Sequence, residues 1–256
     1  MMKKELIIEA KNLKKNYKLG VFNSKSLIED FNSIFNKNKI KHNHKQISAL
    51  DGINLKIYKG EKVALLGRNG SGKSTFIKVI SKITSPSSGE VRYKGKLISV
   101  IEQGIGFNPE LTAIENINLN ASILGCSKNE ITSITPKIIE FSNIEKFINT
   151  PIKRYSSGMV TRLGFSIAAF IFSDIFIVDE VLAVGDENFR NKCISLIKDF
   201  AKNNEKTLIF VSHEMELVKK LCDRAIVLSN GKVVFDGMIN EGIEYYQQKN
   251  KVQDKN

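Results

Sequence analysis

Short apolar runs that end in charged or polar residues recur along this chain of 256 residues. "EKVALLG" (61–67), "IFIVDE" (175–180) and "TLIFVSH" (207–213) each have the length and continuous apolar character of an interior strand. Helix-like segments lie between them, and "KSTFIKVISKI" (73–83) follows the first run closely. This alternation predicts an α/β core with parallel strands, in which the strand tips carry the chemistry.

A segment with helical patterning, residues 109–173, interrupts this core. In "TAIE" (112–115) and "SKNE" (127–130), a Ser or Thr stands three residues before Glu, which is the spacing of a capping box at a helix start. Such a box satisfies N–H groups that have no partner inside the helix. The pattern predicts a helical subdomain inserted into the α/β core.

The carboxyl-terminal part predicts a hairpin and a short helix. In "AIVLSNGKVVFDG" (225–237), Asn-Gly stands between two apolar runs, which is a strong signal for a two-residue hairpin turn. We expect residues 1–249 to form a single domain and residues 250–256 to form a polar tail.

An insertion over about 20–47 contains an amphipathic stretch. In "SKSLIEDFNSIF" (24–35), the apolar residues follow helical spacing, and a polar, basic segment comes after them. Two interpretations remain open. The stretch is either a docking helix for a partner or a membrane surface, or a helix that packs on its own domain with a solvated loop after it.

Composition narrows the class of protein. With 42% hydrophobic residues the chain can bury a full core, and its longest apolar region, from Phe165 to Val178, is too short to cross a bilayer. The N-terminus "MMKKELIIEAKN" shows no export signal, so we expect a cytoplasmic location. The net charge of +12 comes with no zinc-finger spacing or RNA-binding signature, so we expect no nucleic-acid function.

The cysteines and two of the histidines predict neither disulfides nor a metal site. Cys126, Cys193 and Cys222 are odd in number and far apart, so we expect reduced, partly buried thiols. His42 and His44 lie in a basic loop without a third ligand, so we expect no metal there.

The stretch "GRNGSGKST" (67–75) matches the phosphate-loop pattern in full and lies between a predicted strand and a predicted helix. Gly67, Gly70 and Gly72 let the backbone curl so that successive N–H groups face the phosphates. Lys73 supplies a positive charge for the β- and γ-phosphates, and the Ser74 hydroxyl can coordinate Mg²⁺.

Three further residues at strand tips complete the predicted chemistry. Asp179 and Glu180 are adjacent, so their side chains point to opposite faces and can take separate roles. Asp179 is predicted to hold Mg²⁺, directly or through water, and Glu180 to polarise the attacking water. His213 is predicted to donate a hydrogen bond to the γ-phosphate.

The stretch "YSSGM" (155–159) begins another predicted helix, where N–H groups and hydroxyls can bind an anion although no lysine is present. Taken in order, "GRNGSGKST", "YSSGM", "IFIVDE" and "VSH" resemble the ATP-binding cassette of ABC transporters. The resemblance covers nearly the whole chain. It implies a RecA-like α/β core, an N-terminal antiparallel β region and an inserted helical subdomain, with ATP and Mg²⁺ as ligands and ATP hydrolysis as the reaction.

The resemblance also implies how the site is divided between two copies, because in that family the signature of one cassette faces the γ-phosphate held by the other. The residues that it assigns to the partner's ATP are Ser156, Ser157, Gly158 and Met159. Those that it assigns to the chain's own ATP are Tyr17, Gly67, Arg68, Asn69, Gly70, Ser71, Gly72, Lys73, Ser74, Thr75 and Gln103.

Three of the implied roles come from the resemblance alone. Gln103 would join Ser74 and Asp179 at the metal and link it to the transmembrane partner. Tyr17 would stack on adenine, with a core tyrosine as the alternative. Asp186 would end the dimer-contact loop "AVGD".

The chain departs from the usual Leu-Ser-Gly-Gly-Gln signature at Tyr155, Ser157 and Met159. Ser156 and Gly158 keep the hydroxyl and the close backbone approach, so we expect phosphate recognition to survive. In "EQG" (102–104), Gln stands where similar chains commonly carry Leu.

Within the family, the chain resembles ATP-binding subunits of bacterial polysaccharide exporters, which move lipid-linked O-antigen, capsule or teichoic acid. The features that carry this resemblance are "GRNG" in the phosphate loop, "GIGFNPELTAIENI" (104–117), "YSSGM", "DEVLAVGD" (179–186) and the insertion. The implied partners are a second copy and an integral-membrane subunit, and the implied location is the cytoplasmic face of the inner membrane. The alternatives are an importer or lipoprotein-releasing cassette, a soluble cassette of translation or DNA repair, and a regulatory protein that binds ATP without turnover.

Overall fold

The computed structural model describes residues 4–18, 46–100, 106–179 and 186–253. The strands are β1 (Leu6–Lys18), β2 (Gln46–Tyr58), β3 (Lys62–Leu66), β4 (Ser88–Tyr93), β5 (Leu97–Ser99), β6 (Ile175–Val178), β7 (Thr207–Phe210), β8 (Arg224–Ser229) and β9 (Lys232–Met238). The α-helices are α1 (Lys73–Ile80), α2 (Ala113–Ile123), α3 (Lys128–Ser142), α4 (Ser157–Phe170), α5 (Glu187–Lys202), α6 (Met215–Leu221) and α7 (Ile239–Gln253). The amphipathic stretch 24–35, with His42 and His44 after it, lies outside the described residues.

The larger sheet holds the strands that the sequence predicted. Its order is β5-β6-β7-β3-β8-β9, and the first five of these strands are parallel while β9 runs antiparallel to β8. Every residue of β3, β6 and β7 is buried, as expected for parallel strands covered on both faces. Because parallel strands point the same way, the loops that follow β3, β6 and β7 leave the sheet at one edge.

The two faces of this sheet belong to two hydrophobic clusters. Along β3, Ala64 and Leu66 join the cluster that contains the inserted helices, while Val63 and Leu65 join the cluster that contains β1, β2 and α1. Successive side chains of a strand point to opposite faces, so this single buried strand contributes to both cores. The arrangement places the segment after β3 between the two cores.

A smaller antiparallel sheet has the order β2-β1-β4. On β1, Ile8, Ala10 and Leu13 are buried, so one face of this sheet packs on the core. The end of β1 pairs with the start of β2, and Tyr17 lies opposite Ile47. Tyr17 also lies beside the segment that follows β3.

The inserted helices α2, α3 and α4 lie between β5 and β6. Both predicted capping boxes are confirmed, with Thr112 and Glu115 at the start of α2 and Ser127 and Glu130 at the start of α3. Hydrogen bonds from the capping residues lower the pKa of both glutamates. Four aromatic rings then pack α3 and α4 against α5, namely those of Phe141, Phe165, Phe170 and Phe189.

The carboxyl-terminal hairpin is confirmed as well. Asn230 and Gly231 connect β8 to β9 with φ values of 47° and 75°, the left-handed conformation that a two-residue hairpin turn requires. Helix α7 is longer than the short helix that the sequence predicted. It continues to Gln253 and so includes the first residues of the predicted polar tail over 250–256. With both sheets and the inserted helices in place, the predicted fold class is confirmed.

The cysteines are free, as predicted, with Cys193 and Cys222 buried and Cys126 half-buried. Burial raises the pKa of the Cys193 thiol to about 12 and also raises that of Cys222. Both buried thiols are therefore protonated near neutral pH. Across the described ranges, no helix combines the length and the apolar character needed to span a membrane.

Lys62 is buried at the start of β3, with 5% of its surface exposed. Its ammonium donates hydrogen bonds to the carbonyl oxygens of Gly60, Asn203 and Lys206, at 2.6, 3.1 and 2.7 Å. Burial lowers the pKa of this lysine. The cation therefore holds together the two loops that lead into β3 and β7.

We expect Lys62→Met to lower the free energy of unfolding by about 2 kcal/mol, because partly buried carbonyl groups lose their donor. Urea denaturation of the two proteins measures this difference. The matched control is Lys56→Met, on the exposed side of β2, which should change stability by less than about 0.5 kcal/mol. Equal effects of the two substitutions would contradict the role of the buried ammonium.

Candidate functional site

The predicted phosphate loop connects β3 to α1, and geometry requires glycine at two of its positions. Gly67 and Gly72 have φ values of 153° and 107°, in the region that side chains rarely adopt. A Cβ atom on Gly67 would lie 2.5 Å from the carbonyl oxygen of Leu228, and one on Gly72 would lie 2.6 Å from that of Ala49. Only glycine fits at these two positions.

Lys73 is the first residue of α1 and is 9% exposed. Its ammonium donates hydrogen bonds to the carbonyl oxygens of Gly67 at 2.6 Å and Arg68 at 3.1 Å. These bonds tie the beginning of the loop to its end. Helix α1 starts after Gly72 without a side-chain cap, so its first N–H groups and the lysine present positive charge to the same place.

A cavity of about 570 Å³ lies against this loop. Its size is within the range typical of small-molecule sites. Its lining consists of Tyr17, Ile47, Ser48, Ala49, Arg68, Asn69, Gly70, Gly72, Lys73, Ser74, Thr75 and Asp179. Gly67 and Ser71 instead line a second cavity of about 220 Å³ on the side of the loop next to α7. The structure therefore brings most of the predicted nucleotide residues to one cavity.

Tyr17 lies at the surface and not in the hydrophobic core. Its side chain is 41% exposed, and that of its cross-strand neighbour Ile47 is 50% exposed. The ammonium of Lys15 lies 5.2 Å from the centre of the Tyr17 ring. An exposed ring beside an apolar neighbour gives the cavity a flat wall on which a base can stack.

The sequence pattern did not indicate that Ile47, Ser48 and Ala49 contribute to this wall. They belong to β2, which reaches the cavity because it pairs with β1. Their prediction would have required a sequence signal that the end of β1 pairs with the start of β2.

Asp179 and His213 follow neighbouring strands. Asp179 comes directly after β6 and lines the cavity, whereas His213 comes three residues after the end of β7 and is exposed. Val178 and Phe210 are partners in the β6–β7 register, and β7 also pairs with β3. Both residues therefore leave the sheet at the edge that carries the phosphate loop. Glu180 and Gln103 lie outside the described residues.

The signature stretch begins helix α4. Ser156 is the N-cap, and its hydroxyl oxygen accepts a hydrogen bond from the N–H of Met159 at 3.2 Å. The space beside Gly158 is open, since the atom nearest to a Cβ there would be the Ser156 hydroxyl at 4.0 Å. Ser156, Ser157, Gly158 and Met159 do not belong to the described lining of the 570 Å³ cavity. The start of α4 therefore lies outside the cavity that the phosphate loop lines.

Asp186 caps the next helix. Its carboxylate accepts a hydrogen bond from the N–H of Phe189 at 2.9 Å, at the start of α5, and lies 3.6 Å from the guanidinium of Arg162. The residues before it in the predicted dimer-contact loop, 183–185, lie outside the described part of the chain.

The oxygen atoms of Ser74 and Asp179 fit a magnesium ion. Both residues line the cavity beside Lys73, and Ser74 is exposed to it. Magnesium prefers oxygen ligands and keeps positions for water and phosphate oxygens, which a hydroxyl and one carboxylate leave open.

Comparison with known proteins identifies the family. The family model described as "ABC transporter" matches residues 50–183 of this chain. The chain is also 46% identical over 200 residues to the O-antigen export system ATP-binding protein RfbB of Klebsiella pneumoniae, across 78% of this chain and 81% of that protein. The chain belongs to the ABC transporter family. It is an ATP-binding subunit, and ATP hydrolysis is the general activity of such cassettes.

Two further comparisons extend this result. The teichoic acids export ATP-binding protein TagH of Shouchella clausii is 43% identical over 209 residues, which cover 82% of this chain and 58% of that protein. The fold of this ABC subunit is similar to that of the ATP-binding cassette MJ0796, solved as a dimer in a post-hydrolysis state bound to ADP and Pi. The TM-score is 0.70 at 24% identity, over 91% of this chain and 99% of that one.

We expect Tyr17→Ala to weaken ATP binding about tenfold, because the base loses its stacking partner. Tyr17→Phe keeps the ring and serves as the matched control. Fluorescence titration with a nucleotide analogue measures both affinities. If Tyr17→Ala bound the nucleotide as tightly as the control, the exposed ring would not be the adenine contact.

Proposed function

We propose that this chain powers the export of lipid-linked polysaccharide, such as O-antigen, capsule or teichoic acid, across the cytoplasmic membrane. The observation that carries the proposal is the 46% identity to an O-antigen export protein over 81% of that protein's length. The relative named for teichoic acid export, at 43% identity, supports the same class of cargo. The transmembrane partner and the location at the cytoplasmic face of the membrane are parts of this proposal.

The cavity supports roles for the chain's own half of the ATP site. Tyr17 and Ile47 would contact the base, and the N–H groups of the phosphate loop would bind the β- and γ-phosphates. Lys73 would add the positive charge that these phosphates need. Because its ammonium bonds to two loop carbonyls, the charge is held at the phosphate loop.

Ser74 and Asp179, with Gln103 from outside the described residues, would hold Mg²⁺. When bound, this ion neutralises charge on the phosphate oxygens and fixes their direction. The protein contributes a hydroxyl and a carboxylate that both line the cavity beside Lys73. Their positions, at the start of α1 and after β6, support that arrangement.

Hydrolysis needs a base for the attacking water and a hydrogen-bond donor for the γ-phosphate that the water attacks, while ADP is the leaving group. We assign the base to Glu180, which lies outside the described residues and follows Asp179 in sequence. We assign the donor to His213, whose N–H would stabilise negative charge on the γ-phosphate. The position of the His213 loop, at the same sheet edge as the phosphate loop, supports this second role.

A second copy would complete each site. The start of α4 offers N–H groups, the Ser156 hydroxyl and open space beside Gly158, but it does not line the chain's own cavity. In the proposed dimer these groups contact the ATP of the other copy. ATP then favours the closed dimer through contacts that the open state lacks, and hydrolysis lets the copies part. Membrane subunits would convert this cycle into export.

Two substitutions separate ATP binding from hydrolysis. Lys73→Ala should weaken ATP binding at least about tenfold, because a charge-assisted contact is lost. Glu180→Gln should bind ATP normally, lower kcat at least about a hundredfold and accumulate as an ATP-bound dimer. Equilibrium binding, phosphate release and light scattering measure these effects. Normal turnover by Glu180→Gln, or normal affinity of Lys73→Ala, would contradict the assigned role.

The cargo is tested in cells that carry Glu180→Gln as their only copy. We expect surface polysaccharide to fall while lipid-linked glycan accumulates inside, because synthesis continues without export. Extraction and chemical analysis of both glycan pools measure the change against wild type. Normal pools in cells that contain the inactive protein would refute polysaccharide as the cargo and leave the ATPase assignment intact.

A further inference from the structure

Two ion pairs lie outside the ATP cavity and meet at helix α5. Arg162 on α4 pairs with Asp186, and Arg190 on α5 pairs with Glu214. We refer to these four residues as the ion-pair chain. It begins on the helix that carries the signature and ends beside His213, so it touches two parts of the proposed ATPase machinery.

The first pair joins α4 to the N-terminus of α5. Arg162 lies five residues after the start of α4, and its guanidinium is 3.6 Å from the Asp186 carboxylate. Most of its side chain is buried, and its Nε atom has no hydrogen-bond partner among the described residues. A buried guanidinium that is only partly satisfied depends strongly on the carboxylate beside it.

Asp186 transmits this contact into α5 through its cap. One carboxylate oxygen accepts from the N–H of Phe189, and its carbonyl oxygen accepts from the N–H of Arg190 at 3.1 Å. Arg190 is therefore one helical turn from Asp186 and moves with it. A shift of α4 that pulls Asp186 would displace the start of α5 and the Arg190 side chain together.

The second pair joins α5 to the His213 loop. The Arg190 guanidinium donates to the Glu214 carboxylate, and Glu214 follows His213 directly. Glu214 is also fixed through its backbone, because its N–H donates to the Ser212 hydroxyl at 3.1 Å and its carbonyl accepts from the N–H groups of Leu217 and Val218. The residues on both sides of His213 are thus held, and Arg190 is the link from this turn to α5.

We propose that Arg190 and Glu214 are positioning residues for His213, and that Arg162 and Asp186 connect this position to the signature helix. The inference rests on the ATPase site proposed above. In the dimer, the signature meets the other copy's ATP while His213 serves its own. The ion-pair chain therefore gives each copy a physical connection through which engagement of one ATP affects the hydrolysis of the other.

A purely structural role predicts a different result from a positioning role. Both Arg190 and Glu214 are partly exposed, and exposed ion pairs contribute little to stability. Loss of the pair should therefore leave the thermal midpoint and ATP affinity nearly unchanged while turnover falls. A structural role would instead lower the thermal midpoint and leave turnover per folded molecule intact.

The test is a double-mutant cycle in the full chain, with Arg190→Gln, Glu214→Gln and the two combined. We expect each single variant to lower kcat about tenfold with KM changed less than about twofold, and the double variant to be no slower than either single variant. Glu216→Gln, two residues further along α6, is the matched control and should keep the wild-type rate. Exchanging the charges, with Arg190→Glu and Glu214→Arg together, should restore part of the lost rate.

The connection to α4 is tested by adding Arg162→Gln. If the four residues act as one chain, Arg162→Gln combined with Glu214→Gln should be no slower than the slower single variant. The inference would be overturned if the reductions in kcat of two single variants multiplied in the double variant of either cycle. It would also be overturned if Glu214→Gln kept the wild-type turnover. Assays of the wild-type protein and of His213→Ala show whether a negative result concerns this inference or the proposed function. A wild type without ATPase activity, or an active His213→Ala, would contradict the proposed function instead.

Discussion

The curl of the phosphate loop between β3 and α1 is the constraint on which the proposed site depends. Gly67 and Gly72 allow it because the carbonyl oxygens of Leu228 and Ala49 occupy the places where side chains would begin. Those carbonyls belong to β8 and β2, which lie in different sheets. The loop is therefore shaped by the assembled fold, and Lys73 then ties its two ends together from inside. The shape of the phosphate loop therefore depends on how the two sheets pack together.

The same assembly bears on the proposed division of each ATP site between two copies. The parallel strands deliver the phosphate loop, Asp179 and His213 to one sheet edge, and the antiparallel sheet delivers Tyr17. The signature instead begins a helix of the inserted subdomain, whose aromatic core anchors it to α5. A second copy is the proposed source of the phosphate that this helix meets. In this proposal ATP holds the two copies together, and a membrane subunit would use the resulting opening and closing.

The features that the sequence predicted are local or repeat a simple pattern. The phosphate loop is a contiguous motif, the buried parallel strands are continuous apolar runs, and the Asn230-Gly231 turn and both capping boxes lie within a few residues. Each of these signals depends on neighbours in sequence, so a single chain is enough to detect it. The resemblance to ABC cassettes supplied the role of Tyr17, and its exposure beside the cavity agrees with that role.

The features that were missed depend on residues far apart in the chain. Ile47 joins the base wall because β2 pairs with β1 across the insertion. The burial of Lys62 follows from carbonyl groups of Asn203 and Lys206, which no local pattern connects to β3. The pairing of Arg190 with Glu214 likewise depends on how α5 packs beside β7. From sequence alone, lysine, arginine and glutamate are expected to be solvent-exposed charges. Their hydrogen-bond and ion-pair partners are therefore found only in the folded structure.

The central claim is that each ATP is shared by two copies, and mixing two inactive variants tests it most directly. Lys73→Ala removes the phosphate-loop charge, and Gly158→Glu blocks the signature. If the signature acts on the other copy's ATP, a mixed dimer contains one site with both defects and one intact site. An equal mixture should then recover up to about a quarter of the wild-type ATPase rate, since half of the dimers are mixed. If the mixture stays as inactive as its components although mixed dimers form, the signature does not serve the partner's ATP.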